Sequence, residues 1–391
     1  MRSSFRLGRI AGIEIGIHYS WIFIFALIAW SLAAGFFPQS SPGHNTATYW
    51  LTAIIASLLL FVSVLLHELA HSLVARARGL PVSSITLFIL GGVSNLTEEP
   101  ERPAVEFYMA IAGPLTSLIL AVILRVIFLV IQPSGNLAFW NMLQIPPQES
   151  TWAATIGYLA MINAALGLFN LLPGFPLDGG RVLRSILWAT TGSLAKATNV
   201  AAMTGRFFGW ALIAFGLFQL LTGNFLGGLW LAFIGWFLSS SADSSRREAT
   251  LREHLGGVLV KDAVYPGIET ISPETSVEEV VWDIFRQRHR RAVPVCQDGH
   301  PVGIVTITDV KELPQEKWAR TPVAEIMTRE PLYSVTPGDD LNTALKLIAQ
   351  HDLNQVLVLD QGQCIGLLSR ADIIRHLQLS QELDIKPKHP Q

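Results

Sequence analysis

Residues 65–75 read Leu-Leu-His-Glu-Leu-Ala-His-Ser-Leu-Val-Ala, and the rest of the chain is organised around them. His67, Glu68 and His71 spell H-E-x-x-H inside an apolar run that begins near Trp50. On a helix, residues four apart share one face, so both imidazoles point the same way and can grip one metal ion. Glu68 follows the first histidine, where its carboxylate can reach a water on that metal. Zinc suits the set: it accepts imidazole and carboxylate and leaves a fourth position for water. The plain structural alternative is three polar residues satisfying one another between helices. Ionisable groups in hydrocarbon are expensive, however, and are usually kept for function.

The chain has 391 residues, of which 50% are hydrophobic and only 15% charged, with the apolar residues concentrated before residue 242. That balance excludes an ordinary soluble domain. A net charge of −2 implies no general polyanion-binding surface, so no nucleic-acid partner is expected. Cys296 and Cys364 both fall in the polar C-terminal part and suggest no disulfide framework. The basic start, Met1 to Arg9, runs into a long apolar stretch with no evident cleavage site, which reads as a retained anchor.

Six stretches are candidates to cross a bilayer, near residues 18–37, 49–75, 104–131, 152–172, 203–222 and 225–241. Lys and Arg are absent from the connections 38–48, 132–151 and 223–224 and present in the alternate ones. The positive-inside rule therefore puts both termini in the cytoplasm and His67 and His71 toward the cytoplasmic end of the second span.

Residues 81–96 are not helical by pattern. Their β-branched run and the Gly91-Gly92 turn signal predict a short membrane-associated β-hairpin, covered by protein or lying at the interface. Its free edge could pair with an extended peptide, the alternative being a packed connector with no substrate role. In the third span, Gly113-Pro114 reads as close packing plus a kink rather than chemistry. Asn163 in the fourth span reads as a helix–helix hydrogen bond. That span ends in Asn170-Leu-Leu-Pro-Gly-Phe-Pro-Leu-Asp-Gly-Gly-Arg181, whose prolines and glycines must break the helix. Asp178 is the one carboxylate there and the natural third metal ligand. Asn170 can offer hydrogen bonds to a peptide backbone or a developing oxyanion.

Together, HELAH at 67–71, FILGGVSNL at 88–96, AGP at 112–114 and NLLPGFPLDGGR at 170–181 resemble the site-2 protease family of intramembrane zinc metalloproteases. The resemblance implies that His67, His71 and Asp178 bind zinc, that Glu68 is the base, and that Asn170 and the Gly91-Gly92 segment help hold substrate. It implies membrane-tethered substrates such as anti-sigma factors or transcription factors, in a prokaryotic cell membrane. The chain shows no PDZ-like insertion and looks more like the branch with a six-span core and cytoplasmic CBS domains.

The composition changes after Ser239, and residues 242–255 read as a polar linker between a 1–241 membrane domain and the C-terminal part. There, Val260-Lys-Asp-Ala-Val264 recurs as Val323-Ala-Glu-Ile-Met327, and Gly303-Ile-Val-Thr-Ile-Thr-Asp309 as Gly366-Leu-Leu-Ser-Arg-Ala-Asp372. Each unit reads as a helix, two strands and a helix, and resembles one half of a tandem CBS pair, 256–316 and 317–380, before a tail at 381–391. The resemblance implies an α/β regulatory module with an adenine nucleotide as ligand, ribose contacts at Thr306/Asp309 and Ser369/Asp372, and dimerisation through the pair. A hydroxyl three residues before an acid is also how many helices are capped. A transporter or channel gated by the CBS pair would account for the spans, but not for HELAH facing a broken LDG segment.

Overall fold

The computed structural model describes residues 5–89, 91–96, 100–132, 150–264 and 270–382. The chain divides into two compact units, Met1–Ala249 and Thr250–Gln391.

The first unit opens on a hairpin, β1 (Phe5–Ile10) and β2 (Ile13–Ile17), where the pattern of charges suggests only a lead-in to an anchor. Ile13, Ile15 and Ile17 alternate with Glu14 and Gly16, the period of a strand with one buried face. Ala11 and Gly12 both have positive φ, 50° and 77°, as a two-residue hairpin turn requires. The hairpin expected at 81–96 takes the form of β3 (Val82–Phe88) and β4 (Gly91–Leu96), paired antiparallel. It is not isolated: β2 lies parallel to β3, giving one four-stranded sheet in the order β1-β2-β3-β4. Ile13, Ile15 and Ile85 are buried against Leu65 and Leu69, which flank His67. Full burial of each isoleucine is worth about 1.5–3 kcal/mol, so the sheet is seated on the HELAH helix by its apolar face.

Seven helices begin in this unit among the described residues: α1 (Ser20–Ser40), α2 (Thr46–Ala77), α3 (Pro103–Ile131), α4 (Thr151–Asn170), α5 (Asp178–Thr191), α6 (Leu194–Leu221) and α7 (Phe225–Leu255), the last running past Ala249. Five of them, α1, α2, α3, α4 and α6, are long and apolar enough to cross a membrane. Apolar side chains face outward as well as inward: Phe23, Trp30, Val130, Phe207 and Leu221 are all exposed. A helix apolar all round needs an apolar surrounding. The inner faces meet in a cluster of Leu32 and Phe37 from α1, Ala53, Ala56 and Leu60 from α2, and Ala154, Tyr158 and Leu159 from α4. Asn163 on α4 donates from Nδ2 to Ser63 Oγ on α2 at 3.1 Å, the interhelical bond its position suggests.

The sixth expected span, 225–241, is the first half of α7, and the stretch expected as a linker, 242–255, is its second half. The physical reason is the lack of a breaker: no Gly or Pro occurs between Phe237 and Leu255, and Gly256-Gly257 follows. Serines and charges made the stretch polar without making it a loop. The connection 133–149 lies outside the described residues.

In the second unit the first repeat comprises helix 277–287, the antiparallel pair β5 (Ala292–Gln297) and β6 (His300–Thr306), and the short helix Ile307–Lys311. The second comprises β7 (Ser334–Val335), helix Leu341–Gln350, β8 (Gln355–Asp360), β9 (Gln363–Ser369) and helix Arg370–Glu382. The repeats exchange their leading segments. Val260 and Ala263, which precede the first repeat, are buried in the core of the second with Leu341, Ile348 and Val358. Val323, which precedes the second, is buried in the core of the first with Val277, Val295 and Val305. Backbone bonds fasten the exchange, Val260 N–H to Asp339 O at 2.8 Å and Val323 N–H to Thr275 O at 2.9 Å. The pair is therefore a single packed unit rather than two beads. Cys296 and Cys364 are free. Burial pushes the Cys296 thiol up to about 11 and raises that of Cys364, so both stay protonated near neutrality.

Candidate metal centre

The site is assembled from α2, α3, α5 and β4. His67 and His71 are one helical turn apart on α2, both buried, with their Nε2 atoms 3.2 Å apart. After α4 ends at Asn170 the chain turns sharply through residues 171–177, and α5 starts at Asp178. Asp178 lies in the first turn of that helix, where free N–H groups favour an anionic side chain. Its Oδ2 is 3.1 Å from His67 Nε2 and 3.2 Å from His71 Nε2. Ligand atoms about 2.0 Å from a tetrahedral zinc stand about 3.3 Å from one another. The three donors form a triangle with edges of 3.1–3.2 Å, which is the spacing such an ion requires.

Hydrogen bonds at the back of each ring decide what faces the triangle. His71 Nδ1 is 2.7 Å from the carbonyl oxygen of Met109 on α3. A carbonyl only accepts, so Nδ1 carries the proton, and neutral His71 presents a lone pair at Nε2. His67 Nδ1 is 2.9 Å from Ser117 Oγ, which can accept in the same way. Two imidazole lone pairs and a carboxylate oxygen converging this closely repel one another unless a cation lies between them. Such outer partners fix ring orientation at metal sites.

Glu68 is held by β4. Its Oε2 accepts from Ser94 Oγ on β4 at 3.1 Å, and Ser94 Oγ is 3.0 Å from Ser72 Oγ on α2. β4 comes so near that a Cβ at residue 92 would lie 2.4 Å from Glu68 Cγ, so glycine there gives the carboxylate its room. Gly91 precedes it at the start of the strand with φ 130°.

Gly113 packs against the metal helix, as small residues that allow close helix approach do. A Cβ built on it would lie 2.1 Å from His71 Nε2 and 2.6 Å from His67 Nε2. The space left by its missing side chain borders the donor triangle. Met109, Ser117 and Ser94 escaped the sequence reading. The first acts through a backbone carbonyl, which leaves no sequence signal. The two serines are single hydroxyls, traceable only by their helical or strand register relative to the histidines and Glu68.

The structure brings His67, His71 and Asp178 together and places Gly92 over Glu68. Asn170, at the end of α4, donates from Nδ2 to Leu166 O of its own helix at 3.0 Å. In the second unit, Thr306 and Ser369 cap their helices. Thr306 Oγ1 donates to Asp309 Oδ2 at 2.8 Å and Ser369 Oγ to Asp372 Oδ2 at 2.5 Å. The capping role of these pairs is thus visible, with Oδ2 of each acid engaged in it.

Residues 55–212 match the model of peptidase family M50, and residues 260–316 and 323–379 each match the CBS domain. A Synechocystis protein named "Putative zinc metalloprotease sll0528" is 37% identical over 386 residues, which cover 97% of each chain. This chain belongs to peptidase family M50, the site-2 proteases. Zinc metalloprotease MJ0392 of Methanocaldococcus jannaschii is 30% identical to this M50 peptidase over 98% of this chain and 99% of its own. The solved site-2 protease from Methanocaldococcus jannaschii is 30% identical, covering 62% of this chain and 95% of that one at a TM-score of 0.38. The M50 peptidase is thus a membrane zinc metalloprotease with a tandem CBS module.

Proposed function

We propose that this M50 peptidase is an intramembrane endopeptidase that cuts the transmembrane segments of membrane-tethered regulators near the cytoplasmic face. In this reading His67, His71 and Asp178 hold one zinc ion and Glu68 is the general base. The observation that carries it is the donor triangle, with each Nδ1 turned away to an acceptor and Glu68 tethered alongside. Zinc supplies Lewis acidity and brings the pKa of a bound water toward about 7. Glu68 takes a proton at Oε1, since Oε2 is engaged by Ser94, and passes one to the leaving amine. Helical carbonyls are shielded from attack, so the substrate must unwind first. β4, which carries Gly91 and Gly92, is an edge strand of the described sheet, and such an edge suits an extended segment. Asn170 would steady the substrate backbone. The test is co-expression with a panel of single-span regulators such as anti-sigma factors. Cleavage within the span by wild type and none by Glu68→Gln is expected, whereas a fragment that Glu68→Gln also produces would overturn the assignment.

Both termini are proposed to be cytoplasmic, on the distribution of Lys and Arg. A tag at Gly43, between α1 and α2, should react only from outside the cytoplasm, and one at Gln391, outside the described residues, only from inside. A Gly43 tag labelled from the cytoplasm would reverse the orientation and move the site to the other face.

The CBS pair is proposed to bind an adenine nucleotide between its repeats, with Asp309 and Asp372 offering their remaining oxygens to ribose hydroxyls. Cleavage by the purified enzyme in lipid should change a few-fold to about tenfold across an ATP, ADP and AMP series, since tenfold differential affinity is worth about 1.4 kcal/mol. Asp309→Ala with Asp372→Ala should remove the response and leave zinc content unchanged. Nucleotide binding with flat activity would leave the pair as a dimerisation module instead.

A further inference from the structure

Helix α3 presents Glu106, Met109, Gly113 and Ser117 at a spacing that keeps them on one face, and the last three border the metal centre. Three act on the histidines directly: the Met109 carbonyl and Ser117 hydroxyl bond the ring Nδ1 atoms, and Gly113 borders both Nε2 atoms. Glu106 does not reach them. It is nevertheless fully buried, at 0% exposure, in the first turn of α3.

Its partners lie on α5, the helix that begins with Asp178. Arg184 donates from Nε to Glu106 Oε1 at 2.7 Å, and its Nη2 reaches the same oxygen. Arg181 Nε lies 3.7 Å from that oxygen. Arg184 also lies over the ring of Phe175, 5.1 Å from its centroid, in the broken segment that leads into α5. Glu106 Oε2 has no hydrogen-bond partner among the described residues. One buried carboxylate oxygen therefore collects two guanidinium groups from the helix that carries the third donor. Arg184 is six residues beyond Asp178, about 9 Å along the helix. Gly113 is seven residues beyond Glu106, about 10 Å along α3. The two helices thus run in opposite directions, with the ion pair at one end of their contact and the donor triangle at the other.

We infer that Glu106, through Arg184, is the positioning residue for Asp178. It fixes the axial position of α5 so that Oδ2 completes the triangle. This inference rests on the proposed reading of His67, His71 and Asp178 as zinc ligands. The reason is geometric. Asp178 is the first residue of α5, and the ion pair with Glu106 ties that helix to α3, which carries Met109, Gly113 and Ser117. Arg184 Nε and Nη2 converge on one buried oxygen of Glu106, and this contact holds the register of α5 against α3. A sub-ångström slide of α5 would open two of the three edges while leaving the His67–His71 edge intact.

The experiment measures zinc affinity by chelator competition on the full-length protein in lipid, independently of cleavage. Glu106→Gln keeps the shape and removes the charge, and should weaken zinc about tenfold to a hundredfold, the range for loss of outer-shell support. Arg184→Lys, which keeps the charge and loses the fork, should show a loss of the same kind. Should Glu106→Gln fail to accumulate, Arg184→Lys carries the same comparison. The discriminating arm is the Asp178→Asn background. If Glu106 acts through Asp178, Glu106→Gln costs little further affinity there. Unchanged affinity in the wild-type background would overturn the inference, as would an equal loss in both backgrounds, which would mark Glu106 as a general structural residue. Wild-type protein that binds no zinc would overturn the ligand assignment itself, and this inference with it.

Discussion

Glu68→Gln should bind zinc with wild-type stoichiometry and cut no substrate above a background at least about 10²–10⁴-fold below wild type, the range for loss of a general base. The substitution is isosteric and leaves His67, His71 and Asp178 in place. It also keeps an acceptor for Ser94, because the amide oxygen can occupy the Oε2 position that the hydroxyl addresses at 3.1 Å. What it removes is the carboxylate that the proposed reaction uses to accept a proton. The paired measurement is metal content by elemental analysis and turnover of a single-span substrate in lipid. Zinc retained with cleavage lost separates a base from a ligand. Loss of zinc in this variant would mean that Glu68 ligates the metal, and normal turnover would mean that the base lies elsewhere.

The legible part of this site is the part made of distinctive side chains at fixed helical spacing. H-E-x-x-H marks two histidines on one helix face with a glutamate beside them, and a lone acid in a Gly- and Pro-rich break marks the candidate third ligand. What remained hidden is of three kinds. Met109 contributes a backbone carbonyl, which every residue has. Gly113 contributes a space, whose meaning depends on neighbours from another helix. β1 and β2 were hidden by context, since a short alternation at Ile13 to Ile17 abuts an apolar run and its basic flank reads as a topology signal. The C-terminal repeats show a similar limit. Their helix–strand–strand–helix order follows from local pattern, but the exchange of Val260 and Val323 between cores is a long-range packing choice that a linear repeat does not record. The helical 242–255 stretch adds the converse lesson, that polarity without Gly or Pro does not end a helix.

Gly113→Ala should abolish stable zinc binding while making α3 a better helix. Replacing glycine by alanine inside a helix ordinarily favours the helix by about 1 kcal/mol, so local propensity alone predicts a more stable protein. At this position the added Cβ would lie 2.1 Å and 2.6 Å from the two Nε2 atoms, far inside van der Waals contact. The imidazoles have little freedom to retreat, because each is fastened behind, to Met109 O at 2.7 Å and to Ser117 Oγ at 2.9 Å. Either the rings rotate and break those bonds, or α3 moves off α2 and carries Met109 and Ser117 with it. Both responses disperse the donors and place a methyl group at the edge of the space a cation would occupy. The two effects have opposite signs and separate readouts. Metal analysis after mild chelation should show the variant empty under conditions that leave wild type loaded, and cleavage should fall to the level of Glu68→Gln. Helical content by circular dichroism should be no lower than that of wild type, so the loss of zinc is not a loss of helix. A Gly113→Ala protein that keeps full zinc and turns over substrate would show that α3 does not border the metal, and would return Gly113 to the packing role its sequence context suggests.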